Sequence, residues 1–100
     1  MNSLQKQIDT MATNSHDDYV VSFEKNLLEI QNVVEVELIM KKLQFLGLNF
    51  DPFQNEVGSE CEQIMNQLKI TEHMKNPYLA TNILLRLLDK TEERINNLKQ

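Results

Sequence analysis

A chain of 100 residues holds one domain, with room for a core that is not deep. Two glycines, 2 prolines, no tryptophan and 41% hydrophobic residues suit helices and are too aliphatic for a disordered tail. The net charge of −5, with both signs interleaved, leaves no basic stripe for nucleic acid and disfavours anionic membranes.

Taken in order, residues 3–14 predict a short first helix, with Ser3 as cap and Leu4, Ile8 and Met11 on one face. That face is thin, so the helix must dock or fray. Ser15 and Asp18 resemble a capping box, and Asp17 and Asp18 place negative charge at the start of the next helix.

The central helix is expected over 18–46. Val20, Phe23, Leu27, Ile30 and Val34 recur at gaps of three and four, one face of a helix. Beyond Val33 the apolar surface widens, which asks for neighbours on more than one flank. Val34-Glu35-Val36-Glu37-Leu38 also alternates as a half-buried strand would, but no turn residue sets it apart, and Glu37 with Lys41 forms a favourable helical pair. Gly47 is expected to end this helix, with Leu48 packing back against it.

Asp51-Pro52 then opens a third helix, expected over 52–74, with Asp51 as N-cap and Pro52 in the first turn. The short connection makes the two helices an antiparallel hairpin. Phe53, Val57, Cys61, Ile64 and Leu68 keep helical phase across Gly58, while Ser59 with Glu62 offers a rival start. Asn76-Pro77 marks the last boundary, and a fourth helix is expected over 77–98. Leu84, Leu88, Thr91, Ile95 and Leu98 alternate gaps of four and three, a coiled-coil-like seam. The fold class read from these elements is all-α: a helical hairpin or a three- to four-helix bundle with a coiled-coil-like C-terminal helix.

Residues for chemistry are scarce. His16 and His73 stand far apart, and neither follows a carboxylate at the spacing of a di-iron helix motif. Cys61 has no second cysteine for zinc, and Glu60 and Glu62 beside it oppose a reactive thiolate. No nucleophile, base and orienting group assemble, and the two glycines form no phosphate loop. The expectation is therefore no catalytic residue, no metal and no cofactor. One cysteine, no signal-peptide apolar region, and no run near the roughly 20 apolar residues that span a bilayer point to an intracellular, cytoplasmic or nuclear protein.

Phe45, Phe50 and Phe53 surround the Gly47 connection, either capping the bundle end or forming a recognition patch. Leu84-Leu85-Arg86-Leu87-Leu88 fits the L-x-x-L-L pattern, which any leucine-rich helix also fits. Leu46-Gly47, Phe50-Asp51-Pro52 and Glu56-Val57 resemble the segment of GrpE nucleotide-exchange factors that joins their helical and β parts, but no β part is present. Asn82-Ile83-Leu84, Glu92-Glu93-Arg94-Ile95 and Leu98 are similar to the coiled-coil end of snapin-like subunits of lysosome-biogenesis complexes. Neither stretch covers enough of the chain to set a family.

The function expected is a non-enzymatic helical interaction module: an adaptor or assembly subunit of a larger complex, or a homo-oligomer. Its partners would be protein, either itself or other helical subunits, with no nucleic acid and no membrane insertion. The expected contact residues are Leu84, Leu88, Ile95 and Leu98, with Phe45, Phe50 and Phe53 at the tip. The alternative is a small acidic inhibitor or immunity-type protein that blocks a basic target.

Overall fold

The computed structural model describes residues 18–54, 57–71 and 73–100. It is an all-α bundle with four α-helices and no strand among those residues. They are α1 (residues 18–29), α2 (Val33–Asn49), α3 (Ser59–Leu68) and α4 (Pro77–Lys99), with a 3-10 turn at His73–Lys75 before α4. The helix expected over 3–14 lies outside the described residues.

The helix expected over 18–46 is instead two helices, broken at residues 30–32. Asn32 is the reason on one side: its backbone is extended and its Oδ1 accepts from the Val34 N–H at 2.8 Å, an N-cap that starts α2. Arg94 of α4 is the reason on the other. Its Nη2 donates to the carbonyls of Leu28 at 3.3 Å and Ile30 at 2.8 Å, satisfying the loose end of α1. Its Nε is buried and bonds to no group among the described residues.

Three further boundaries differ from expectation. Gly47 does not end α2, which runs on to Asn49 and closes where the Phe50 N–H bonds the Leu46 carbonyl at 2.9 Å. The helix expected over 52–74 begins only at Ser59, behind an extended Gly58. Asp51 does cap a turn, its Oδ1 accepting from Phe53 N–H at 2.9 Å and Gln54 N–H at 3.3 Å, but residues 52–54 form a turn and not a helix. Gly58 has little helix propensity, while Glu60 and Glu62 favour a helix N-terminus just beyond it. The phase kept across Gly58 therefore does not signal continuity.

α3 also ends at Leu68 and not at 74, in a Schellman motif with lysine in glycine's place. Lys69 sits in the left-handed region at φ 61°, ψ 37°, Ile70 N–H bonds the Met65 carbonyl at 2.9 Å, and the Ile70 side chain is buried. At α4, Pro77 sits in the first turn, as expected, and Asn76 Oδ1 caps the helix by accepting from Tyr78 and Leu79 N–H.

The core lies between α2 and α4. Val36, Leu43 and Leu46 from one and Ile83 and Leu87 from the other are fully buried. Glu37 meets Lys99 at 3.9 Å, while Gly47 and Leu48 lie across from Thr81 and Leu85, so the two helices run antiparallel. α1 advances along α4 in the same sense, with Glu24 at Lys90 (3.4 Å) and Leu28 and Ile30 at Arg94. It seats Val20, Phe23 and Leu27 in the core, and the Tyr19 hydroxyl donates to the Leu68 carbonyl at the end of α3 at 2.7 Å. The extents of 48 × 30 × 16 Å make a slab. Two helix layers at ordinary packing distance span about 14 Å of Cα positions, so its thin dimension holds two layers. No helix among the described residues is long and apolar enough to cross a membrane.

Candidate docking groove

A groove of about 560 Å³ opens between the C-terminal end of α2 and the N-terminal half of α4. Local structure puts it there. α2 persists past the point where its glycine would have ended it, and this carries Leu48 out beyond the core. The chain then folds back through Phe50 and the Asp51-capped turn, so Phe50 and Pro52 close one end. Opposite them, α4 presents Leu84, Leu85 and Leu88, the first and last of them one turn apart. Thr81 adds little polarity, because its hydroxyl is bonded to the Pro77 carbonyl at 3.1 Å. Gln44 is the other polar lining residue, so the wall is otherwise apolar.

Gly47 lines the groove as well. It is an ordinary helical residue with no positive φ, and a Cβ built on it would meet nothing within 4 Å. The missing side chain therefore leaves open space beside it. Leu48 is 86% exposed and Leu85 57% exposed, one on each wall. Val34, Leu38, Phe45 and Leu48, with Lys41 between them, continue an apolar stripe along the outer side of α2 at gaps of four and three. Val34 and Leu38 are exposed and Phe45 is half-buried.

The residues expected to make contacts divide. Leu84 is buried and also lines the groove, and Leu88 is half-buried beside it. Ile95 and Leu98 pack against the core, and Thr91 is fully buried with its hydroxyl bonded to the Leu87 carbonyl at 2.7 Å. The leucine seam of α4 thus faces its own chain for most of its length. Of the three phenylalanines, Phe45 packs on the core, Phe50 is buried at the groove end, and Phe53 is 90% exposed. The L-x-x-L-L pattern turns inward, since Leu84 and Leu87 are buried.

Sequence reasoning missed Leu48, Leu85 and Gly47. For Leu48 the signal was present: it extends the heptad spacing of Val34, Leu38, Lys41 and Phe45, and reading Gly47 as a terminator hid it. Leu85 stands one position off the seam, and only the placement of α2 makes it a wall.

Other chemistry is sparse among the described residues. No group of three or more His, Cys, Asp or Glu is placed to hold a metal. Cys61 is a free, buried thiol on the inner face of α3. Burial pushes the Tyr19 phenol above its ordinary range, which keeps it a hydrogen-bond donor to Leu68. No family model, curated protein or solved structure matches the chain.

Proposed function

We propose that this protein is a non-catalytic interaction module that receives an amphipathic helix of a partner protein in the groove between α2 and α4. The observation that supports this reading is the groove itself: apolar on both walls, open to solvent, and floored by a glycine whose backbone conformation does not need one. An apolar helix face laid into a hydrophobic groove is a recurring mode of peptide recognition, read as anchors one turn apart. Here Leu48 on one wall and Leu85 and Leu88 on the other would grip two such anchors, and a large side chain would occupy the space above Gly47. Lys41 and Asp89 on the flanking helix turns would set register rather than supply affinity.

An idealised amphipathic peptide, with leucine at heptad positions and lysine and glutamate elsewhere, is a direct probe. Titrated into ¹⁵N-labelled protein, it is expected to shift the amides of Gly47, Leu48, Leu84 and Leu85 before others. Gly47→Met fills the floor without touching the core and is expected to abolish those shifts while leaving the fold intact. Shifts centred elsewhere, or an unchanged titration in Gly47→Met, would overturn the reading.

A further inference from the structure

The reversal between α1 and α2 takes place over Ile30, Gln31 and Asn32, none of them glycine or proline. The apolar stripe of α1 (Val20, Phe23, Leu27) continues in phase through Ile30 to Val34, so one unbroken helix would keep these residues on a single face. Two side chains hold the reversal. Arg94 takes the carbonyls of Leu28 and Ile30, and Asn32 takes the N–H of Val34. The Ile30 carbonyl and the Val34 N–H are an i, i+4 pair, the partners each would have if the helix ran through. The turn is thus a partner exchange: straightening gives both groups a backbone bond in place of a side-chain one.

We propose that residues 30–32 are a hinge through which α1 exchanges between two copies of this chain. Straightening fuses α1 and α2 into one helix over 18–49, roughly 48 Å long. α1 then takes, on a second copy, the place it holds on its own chain. The occupant is set by what seats α1. Tyr19 bonds the Leu68 carbonyl, Glu24 pairs with Lys90, and Val20, Phe23 and Leu27 enter the core. Each tie to α3 or α4 can be made across two chains as well as within one, so exchange changes the hinge and little else, which is what makes such swaps accessible. The α2–α4 groove contains no residue of α1, so this inference does not rest on the groove's role.

Two sets of substitutions push the hinge in opposite directions. Gln31→Ala with Asn32→Ala removes the N-cap and raises helix propensity at the turn. Val33→Pro suits the reversed chain, because residue 33 is the first of α2 and Asn32 is already extended at ψ 114°. Inside a fused helix the same proline would lose a backbone bond and clash with the Glu29 carbonyl. Labelled (¹⁵N) and unlabelled protein are unfolded together, refolded at high concentration, weighed by light scattering and treated with a carbodiimide, which joins the paired Glu24 carboxylate and Lys90 amine as an amide.

The expected result is a shift of the double-alanine variant to dimer, with Glu24–Lys90 cross-linked peptides that combine one labelled and one unlabelled partner. Adding Val33→Pro should restore the monomer and leave same-label cross-links alone. The unsubstituted protein should show a smaller mixed-label fraction that Val33→Pro removes. A double-alanine variant that stays monomeric at every concentration overturns the proposal. So does a dimer whose Glu24–Lys90 cross-links are all same-label, which would have formed through another face.

Discussion

At the scale of single residues, two side chains carry costs that can be measured. Lys69 holds a left-handed conformation that costs an L residue about 1–2 kcal/mol relative to glycine. Lys69→Gly keeps the Ile70-to-Met65 bond and is expected to raise stability, measured by chemical denaturation, by about 1 kcal/mol; a fall would mean that the lysine side chain contributes more than its backbone loses. Tyr19 is the second case. Its folded pKa lies above the ordinary 10.0, so its contribution is complete below pH 10 and declines as pH rises beyond it, because the unfolded chain ionises first. Tyr19→Phe is expected to lose about 1 kcal/mol at neutral pH with its bond to Leu68, and to lose stability less steeply above pH 10. Identical alkaline slopes in urea titrations of the two proteins would refute this. Residue-level signals were also where the sequence was most and least legible. Asn76-Pro77 announced α4 correctly. Asn32, with Glu35 three residues later, is a comparable start signal for α2 that the reading of one continuous stripe passed over.

At the scale of elements, periodicity located helices but not their ends. An apolar spacing can hold its phase across a break without marking one buried face. Val34, in phase with Val20, Phe23 and Leu27, is exposed while α2 buries Val36, Leu43 and Leu46 instead, and Phe53, in phase with Cys61 and Ile64 across Gly58, is exposed as well. The reversal owes its existence to a tertiary partner, Arg94, and the second break to a glycine that takes an extended backbone. α4 is the contrasting element. Its core face is continuous from Ala80 to Thr91 and its start is marked by Asn76-Pro77, so spacing and one boundary signal together made its extent readable. The groove was only half legible. Leu84 and Leu88, singled out from the seam, do line the groove, but the seam turns mostly inward, and which leucines remain free depends on where α2 lies. Leu48→Glu and Leu85→Glu, both on exposed positions, are expected to change stability by no more than about 0.5 kcal/mol while preventing the peptide-induced shifts in the groove. A matched loss of stability and binding would mean these leucines serve the fold instead.

At the scale of the whole molecule, the slab leaves little redundancy. α2 and α4 hold most of the fully buried side chains, so the fold stands or falls with that pair. Leu87→Ala should cost about 2–5 kcal/mol, a large share of the roughly 5–15 kcal/mol typical of small domains. Calorimetry that shows only a small drop in Tm would place the stabilising core elsewhere. All-α architecture was readable at this scale from composition and breaker content, because few other folds tolerate so little glycine and proline. The arrangement of the helices was not, since it depends on which of several leucine faces meet.

Gly47 sets helix stability against the open space beside it. A methyl group there would meet nothing, the backbone is ordinary helix, and alanine is favoured over glycine in a helix interior by about 1 kcal/mol. Gly47→Ala should therefore melt higher than the unsubstituted chain and, on the proposed role of the groove, bind a helix less tightly; the ratio of the two effects would measure how far stability and binding oppose each other at this one position.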